Sequence, residues 1–376
     1  MTSAAYLDWN ATAPLRPEAR DALVAALDLD GNPSSVHGFG RAARKVVERA
    51  REQVAAVAGA DPVAVIFTGG ATEANATVVA GVGRSRVLAS AVEHDSVLAA
   101  GVADGPAVET VPVGPDGRID LEALDRALAV DPTPALVSLM AVNNETGVIQ
   151  PVGAAAAIAR RHGALVHCDA VQAPGRIALS MGDLGIDALT LSAHKMGGPK
   201  GVGAIVLAHP DVAVSPLLRG GGQERRRRAG TENVAAIAGF GAAAEACVAD
   251  LAVMPELARR RDALEAAIRA ACPDAPVWGE GAPRVAPVSC LGMPEVAAET
   301  QLMAFDLAGI AVSAGSACSS GKVAASHVLT AMGAGAAAGQ AVRVSFGATT
   351  PVEALDRFAA AWADLWHRRR RRGEAA

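Results

Sequence analysis

Leu191-Ser192-Ala193-His194-Lys195-Met196-Gly197-Gly198-Pro199-Lys200-Gly201 opens at the end of a strand-like apolar run and closes in a glycine turn. The chain otherwise uses arginine for charge: Lys45, Lys195, Lys200 and Lys322 are its only lysines, against a combined Lys+Arg count of 34. An amine can lose its proton and attack a carbonyl, which a guanidinium practically cannot. Two readings of Lys195 therefore stand side by side: a Schiff-base amine for a cofactor aldehyde, or a solvated loop lysine.

Outward from that stretch, 376 residues make room for two domains or one large α/β domain. With 51% hydrophobic and only 3% aromatic residues, the core must rest on Ala, Val, Leu and Ile. A net charge of -5 gives no overall attraction to nucleic acid or to an anionic membrane. Met1–Asn10 lacks a basic start and an apolar run, and the alanine-rich stretches are broken by Gly, Pro or charge. The expectation is a cytoplasmic protein with no signal peptide and no membrane span. Five scattered cysteines (Cys168, Cys247, Cys272, Cys290, Cys318) without a C-x-x-C pair argue for reduced thiols and against a disulfide framework or structural zinc site.

Along the chain, residues 6–14 are expected to run extended over the surface. Helices are expected at Pro17–Leu27 and Arg41–Ala58, the latter with Val46, Val47, Ala50, Val54 and Val57 at helical spacing. Strand-like runs follow at 63–67, 87–90, 108–113, 135–142, 165–168, 188–192 and 204–207. Helical patterns lie between several of them, as at 121–129 and 153–161. Such alternation implies a mostly parallel sheet with helices on both faces. After about Glu245 the rhythm changes to a helix at 257–271, strands at 285–290 and 342–346, and a helix at 353–366. This reads as a large domain over residues 15–250 and a smaller α+β domain over 1–14 and 251–376. Two arginine runs, 225–228 and 368–372, are the strong charge blocks. The second reads as a solvated, frayed tail.

Ligands of an open parallel sheet gather beyond the carboxyl ends of its strands. There the chain places Thr68-Gly69-Gly70-Ala71-Thr72, a turn whose free N–H groups suit a phosphate. Glu93-His94, Asn143-Asn144-Glu145, Asp169 with Gln172, and Ser192-Ala193-His194-Lys195 sit at further strand ends. Asp169, partly buried, needs a partner such as a protonated ring nitrogen. His94 packs on a ring or serves the structure alone. Phosphate turn, aspartate and lysine together are what pyridoxal phosphate requires.

From Tyr6-Leu7-Asp8 to Phe346-Gly347 the chain resembles the cysteine desulfurases, in the fold-type I, class V aminotransferase superfamily of pyridoxal-phosphate enzymes. The segments carrying the likeness are 68–75, Val142-Asn143-Asn144-Glu145-Thr146-Gly147, Asp169-Ala170-Val171-Gln172, 192–195 and 220–233. The most specific is Ser313-Ala314-Gly315-Ser316-Ala317-Cys318-Ser319-Ser320-Gly321, which is similar to the mobile cysteine loop of the nitrogenase-associated and iron–sulfur branch. The resemblance implies that Lys195 holds the cofactor and moves protons, Asp169 pairs with the pyridinium, His94 stacks on the ring and serves as a further catalytic residue in acid–base steps, and Gln172 bonds its phenolic oxygen. Ala71, Thr72, Ser192 and His194 would bind phosphate, joined by Thr231 from the second subunit of a homodimer. Asn144 and Arg343 would orient the substrate, Arg343 through its carboxylate. Read without the family, Arg343 is also an outward residue on an edge strand.

Cys318 lies among Gly, Ser and Ala, with nothing bulky to anchor it, so its loop (about 312–325) is expected to be exposed. The other four cysteines sit in apolar patterns and are expected to pack. As a thiolate Cys318 would take sulfur from L-cysteine as a persulfide, release alanine, and pass the sulfur to a protein acceptor such as an iron–sulfur scaffold. Lys322-Val323-Ala324-Ala325-Ser326-His327 departs in detail from some relatives, which leaves the loop's length open. Selenocysteine lyase or another class V reaction would use the same pocket without Cys318. A sulfur carrier or assembly scaffold that has lost catalysis would take up no cofactor. Nucleic-acid binding through the arginine runs conflicts with the acidic net charge.

Overall fold

The computed structural model describes residues 4–100, 106–315 and 324–374. In chain order it gives β1 (Ala5–Tyr6), α1 (Pro17–Leu27), α2 (Gly38–Ala58), β2 (Val65–Thr68), α3 (Ala71–Gly81), β3 (Arg86–Ser90), α4 (Asp95–Leu98) and β4 (Ala107–Val111). Next come α5 (Leu121–Val130), β5 (Ala135–Ser138), α6 (Val152–Arg161), β6 (Leu165–Asp169), α7 (Met181–Leu184), β7 (Ala188–Ser192) and β8 (Gly203–Leu207). The chain continues through α8 (Val234–Cys247), α9 (Met254–Ala271), β9 (Val277–Trp278), β10 (Val288–Gly292), α10 (Ala298–Leu307) and β11 (Ile310–Ala311). It closes with β12 (Ser313–Ala314), α11 (His327–Ala331), β13 (Ala341–Ser345) and α12 (Val352–Glu374).

The expected mostly parallel sheet is present, in the order β2-β8-β7-β6-β5-β3-β4. Only β8 runs against its neighbours, β2 and β7. The reason lies in the Lys195 stretch itself. Residues 193–202 are too few for a crossover helix, and a connection that short links antiparallel neighbours. Along β2, Val65 and Phe67 face one apolar cluster and Ile66 the other, the alternation a pleated strand demands when helices cover both faces. The helices stop where the sequence tells them to. His37 Nδ1 accepts from Gly40 N–H at the start of α2, which ends on Gly59 at φ 63°.

A second, antiparallel sheet runs β12-β13-β10-β9 and packs with α9, α10 and α12 around Phe305, Phe358 and Trp362. The Phe305 and Phe358 rings stand 4.9 Å apart. Strand 288–292 begins later than the expected 285–290, because 286–287 form a turn ahead of it. Two expectations are corrected here. Residues 6–14 do not run over the surface: β1 pairs in parallel with β11, Leu7 is wholly buried in the second core, and Asn10 is buried beside Lys195. Leu7 supplies the apolar anchor that draws the segment inward. The arginine run at 368–372 is no frayed tail, since α12 carries it on to Glu374 and Arg369 approaches Glu295 at 3.9 Å. Arginine is a strong helix former, so the helix continues through the run although the side chains at 368–371 are exposed.

Val234–Ala271 is a helical stretch long and apolar enough to cross a membrane, which the reading of the sequence did not anticipate. Its first part, α8, spends its apolar residues on the interior, with Ile237, Phe240, Ala243 and Ala244 in the large core.

One buried ion pair ties the segment after β8 to the large sheet. Arg51 donates two hydrogen bonds to Glu224, at 2.8 and 3.0 Å, and a third to Val65 C=O, while its guanidinium lies 4.9 Å from the Phe67 ring centroid. Glu224 also accepts from Phe67 N–H at 2.9 Å. The pair holds Glu224, Arg225 and Arg226 in the left-handed region, at φ 44°, 57° and 66°, where non-glycine residues are strained. Glu224→Ala is expected to cost about 3–5 kcal/mol, because it strands a buried guanidinium. Urea denaturation checks this, with the apolar double replacement Arg51→Met/Glu224→Leu recovering most of the loss.

Candidate active site

Lys195, His94, Ala71, Thr72, Asn144, Asp169, Gln172, Ser192, His194 and Arg343 all line one cavity of about 720 Å³. Several arrive from the ends of elements. Asp169 is the last residue of β6 and Ser192 of β7, and Lys195 ends a short 3-10 turn. Thr231 is exposed and lies outside the cavity of its own chain. Cys318 falls outside the described residues. Ser313, Gly315 and His327, from either side of it, line the same cavity.

The wall behind Lys195 is the misjudged N-terminal segment. Lys195 Nζ donates to the carbonyls of Asn10 (2.6 Å) and Ala11 (2.9 Å). Burial, reinforced by the Arg343 and Arg176 cations and opposed by Asp8 and Asp169, pulls the amine's pKa down to about 8. Arg176 was not foreseen. Its Nη1 is buried without a partner among the described residues, and burial together with Arg343 lowers it to about 10.

Asp169 is held as an acceptor. Asn75 Nδ2 donates to Oδ2 at 2.8 Å and Val171 N–H to Oδ1 at 3.0 Å. Asn75 is itself fixed by Thr190 Oγ1, which donates to its Oδ1 at 2.6 Å. Asn75 had been quoted from the sequence without a role, and its place one helical turn past Thr72 on α3 was the available signal. Behind Asp169, the wholly buried Glu93 accepts from Met140 N–H at 2.8 Å, and burial pushes its carboxyl well above the usual range. Asp169, unlike Glu93, lines the cavity.

The phosphate turn has the geometry its glycines foretell. Gly70 sits at φ 146°, and α3 starts at Ala71 with no side-chain cap on its first N–H groups. An added Cβ on Gly203 would run into Gly70, so β8 backs directly onto the turn. Glu73 accepts from Gly69 N–H at 2.6 Å and is neutralised by Arg228 at 2.9 Å, keeping an unpaired acid away from an anion site. His194, its Nδ1 buried without a partner among the described residues, is drawn down to about 4 by burial and by Lys195 and Lys200. His94 Nδ1 accepts from Ser96 N–H at 3.1 Å, so the neutral ring carries its proton on Nε2.

Arg343 is 5% exposed on β13, which lies between β12 and β10, so it is neither outward nor on an edge. It donates to Asp8 Oδ1 at 2.7 Å and to Asn144 C=O at 3.0 Å, and its Nε has no partner among the described residues. Cys168, Cys247, Cys272 and Cys290 are buried and free, as their apolar surroundings implied. Burial raises each of these thiols, Cys247 to about 12, which makes them poor nucleophiles.

The residues fit pyridoxal phosphate in three independent places. The uncapped turn awaits an anion, the fixed aspartate a protonated ring nitrogen, and the depressed amine an aldehyde. At pH 7 an amine with a pKa near 8 is about one-tenth free, against about one part in three thousand for an ordinary lysine. The rate at which cofactor-free protein takes up the aldehyde is therefore expected to rise with pH and reach half its plateau near pH 8. Stopped-flow absorbance checks this, and a midpoint above pH 10 contradicts it.

Comparison with known proteins agrees with this geometry. The aminotransferase class-V family model matches residues 5–358. A cysteine desulfurase of Cereibacter sphaeroides is 44% identical over 365 residues, covering 94% of this chain and 93% of its own. The X-ray structure of a NifS-like protein from Rickettsia africae superposes with a TM-score of 0.90 at 31% identity, over 97% of this chain and 99% of that one. SspA, solved in complex with cysteine, superposes with a TM-score of 0.76 at 27% identity, over 91% and 99%. With the match running almost from end to end and the site intact, the chain belongs to the class-V aminotransferase family, within its cysteine desulfurase group.

Proposed function

We propose that the chain is a pyridoxal-phosphate-dependent enzyme that converts L-cysteine to L-alanine and receives the sulfur on Cys318 as a persulfide. The observation that carries this reading is the shared cavity, with Lys195, Asp169 and the Gly69-Gly70 turn on its walls and Gly315 and His327 beside them. Relatives named cysteine desulfurase and a neighbour solved with cysteine support it. Bound there, pyridoxal phosphate supplies an aldehyde that condenses with amino groups and a ring that withdraws their electrons.

The chain's own groups divide the remaining work. The first N–H groups of α3 with Thr72, Ser192 and His194 hold the phosphate. Asp169 accepts the ring N–H, Gln172 bonds the phenolic oxygen and His94 covers the ring. Arg343, with Asn144, receives the substrate carboxylate. Lys195, with its depressed pKa, takes and returns protons at the substrate's carbon atoms. The Cys318 thiolate attacks the substrate sulfur; an S–S bond forms, the C–S bond breaks, and the carbon keeps the electron pair until a proton completes alanine.

The reading extends to the assembly. Thr231 sits exposed on a segment that Arg51–Glu224 and Arg228–Glu73 bind to its own subunit, and there it serves the phosphate site of a second copy. The working form is a cytoplasmic homodimer that passes sulfur to a protein acceptor such as an iron–sulfur scaffold.

Two variants test the chemistry. Lys195→Ala is expected to abolish trapping of the cofactor by borohydride. Cys318→Ala is expected to remain yellow yet release sulfide from L-cysteine at least about 100-fold more slowly, having lost its nucleophile. Sulfide release at the wild-type rate from Cys318→Ala removes the persulfide mechanism. A colourless protein that binds no pyridoxal phosphate removes the enzyme reading altogether.

A further inference from the structure

Glu145 has no part in the scheme above, yet it is 1% exposed and lines the cavity. Its backbone is fixed independently of its side chain. Asn143 Oδ1 accepts from Glu145 N–H and Thr146 N–H, both at 2.9 Å, and Asn143 Nδ2 donates to Val92 C=O at 3.1 Å. The turn 143–146 thus keeps its shape whatever stands at 145, while the carboxyl group points to another purpose.

That group meets the chain on either side of Cys318. Ser326 Oγ donates to Glu145 Oε2 at 2.5 Å, and the same hydroxyl accepts from Leu329 N–H at 3.1 Å, capping α11. Gly315 lies against the same carboxylate oxygen, so closely that any Cβ there would collide with it, and a Cβ would also come within 3.1 Å of Ser326 Cβ. Residues 315 and 326 therefore stand side by side, with one carboxyl oxygen serving both. The neighbours of each are anchored near the reacting groups. Ser313 is in register with Arg343, and His327 Nε2 lies 2.9 Å from Glu93 C=O.

We propose that Glu145 is a positioning residue for sulfur transfer: its carboxyl group, on the wall of the cavity, hydrogen-bonds Ser326 and packs against Gly315, the residues that flank the stretch bearing Cys318. The charged and titratable groups felt by that carboxyl are His327 and Arg343, which favour its ionised form, and Asp95, which opposes it. Burial outweighs them and raises its pKa. The contact survives either protonation state, because a hydroxyl can donate to a carboxylate or accept from a carboxylic acid. Removing the carboxyl group takes away the hydrogen bond to Ser326 and the packing against Gly315, and leaves the phosphate turn, Asp169 and Lys195 in place. The loss falls on the step that uses Cys318.

The inference rests on Cys318 being the sulfur acceptor, and the test separates the two. Holoenzyme is mixed with L-cysteine in a single turnover; cofactor absorbance and the mass of the Cys318-containing peptide are followed together. Glu145→Ala is expected to keep the cofactor absorbance and its immediate response to L-cysteine, while persulfide formation slows by about tenfold or more. Glu145→Gln, which keeps an acceptor for Ser326, is expected to return to within about threefold of wild type, a rescue that a purely structural loss would not show. Ser326→Ala is expected to slow the same step, with the Glu145→Ala/Ser326→Ala double variant no slower than Glu145→Ala alone. A Glu145→Ala rate within twofold of wild type overturns the proposal, as does a loss that merely tracks lost cofactor. If Glu145→Ala does not fold, the Ser326→Ala rate against its Ser326→Thr rescue decides by the same criteria. Wild-type enzyme that turns over without a persulfide on Cys318 overturns the functional reading instead.

Discussion

Lys195 Nζ rests on two backbone carbonyls, those of Asn10 and Ala11, with no carboxylate in contact among the described residues. The distinction matters because a carbonyl can accept from an ammonium or from a neutral amine and, carrying no net charge, favours the ammonium less strongly than a carboxylate does. A carboxylate would hold the ammonium form and hold its pKa up. The nearest candidate, Asp8, is engaged by Arg343 at 2.7 Å. Pairing Asp8 with the arginine thus leaves the amine among cations and low polarity, where shedding a proton is easier than for an ordinary lysine. Much of the surrounding architecture serves that arrangement, including the inward course of the first ten residues and the central place of β13.

The large sheet contributes direction. Its strands are apolar on both faces and end in polar residues at one edge, so cofactor-binding groups converge although they are far apart in sequence. The reversal at β8 sharpens this. A tight return after β7 puts Lys195 on a short, glycine-bounded connection and lays β8 against the phosphate turn, where Gly203 and Gly70 meet without side chains. Amine and anion site are set relative to each other by backbone contact, which is stiffer than any pair of long side chains.

Much of this was legible in the sequence. Alternating apolar runs and helical patterns place the strands of the large sheet within a few residues, because strands buried on both faces leave an unmistakable signature. The residues of the cavity were legible from strand ends together with family motifs. What escaped was what depends on long-range packing. Tyr6-Leu7-Asp8 reads as a short polar-edged segment, and only the distant Ile310–Ala311 and Ser345 make it a buried strand. Arg176 carries no signal in the sequence because its burial comes from other parts of the chain, and Glu145 is marked by its strand-end motif without the partners that give it a role. Thr231 was named from its motif, and a single chain leaves it outside the pocket.

The N-terminal arm has a further consequence, for the order in which the molecule is made. Ala5 and Tyr6 pair with Ile310 and Ala311, and Asn10 N–H donates to Ser345 Oγ at 2.9 Å across 335 residues of sequence. Residues 5–10 are therefore synthesised long before the partners they pair with. Contacts so distant along the chain are slow to close, since the entropy of ordering the intervening residues must be lost first. Until they close, Lys195 lacks its carbonyl seats, although the large sheet that carries it can already form. A nascent or truncated chain that has folded its main sheet is consequently an immature one. The seating of Lys195 on its carbonyls thus waits on contacts with residues about 300 positions later in the chain.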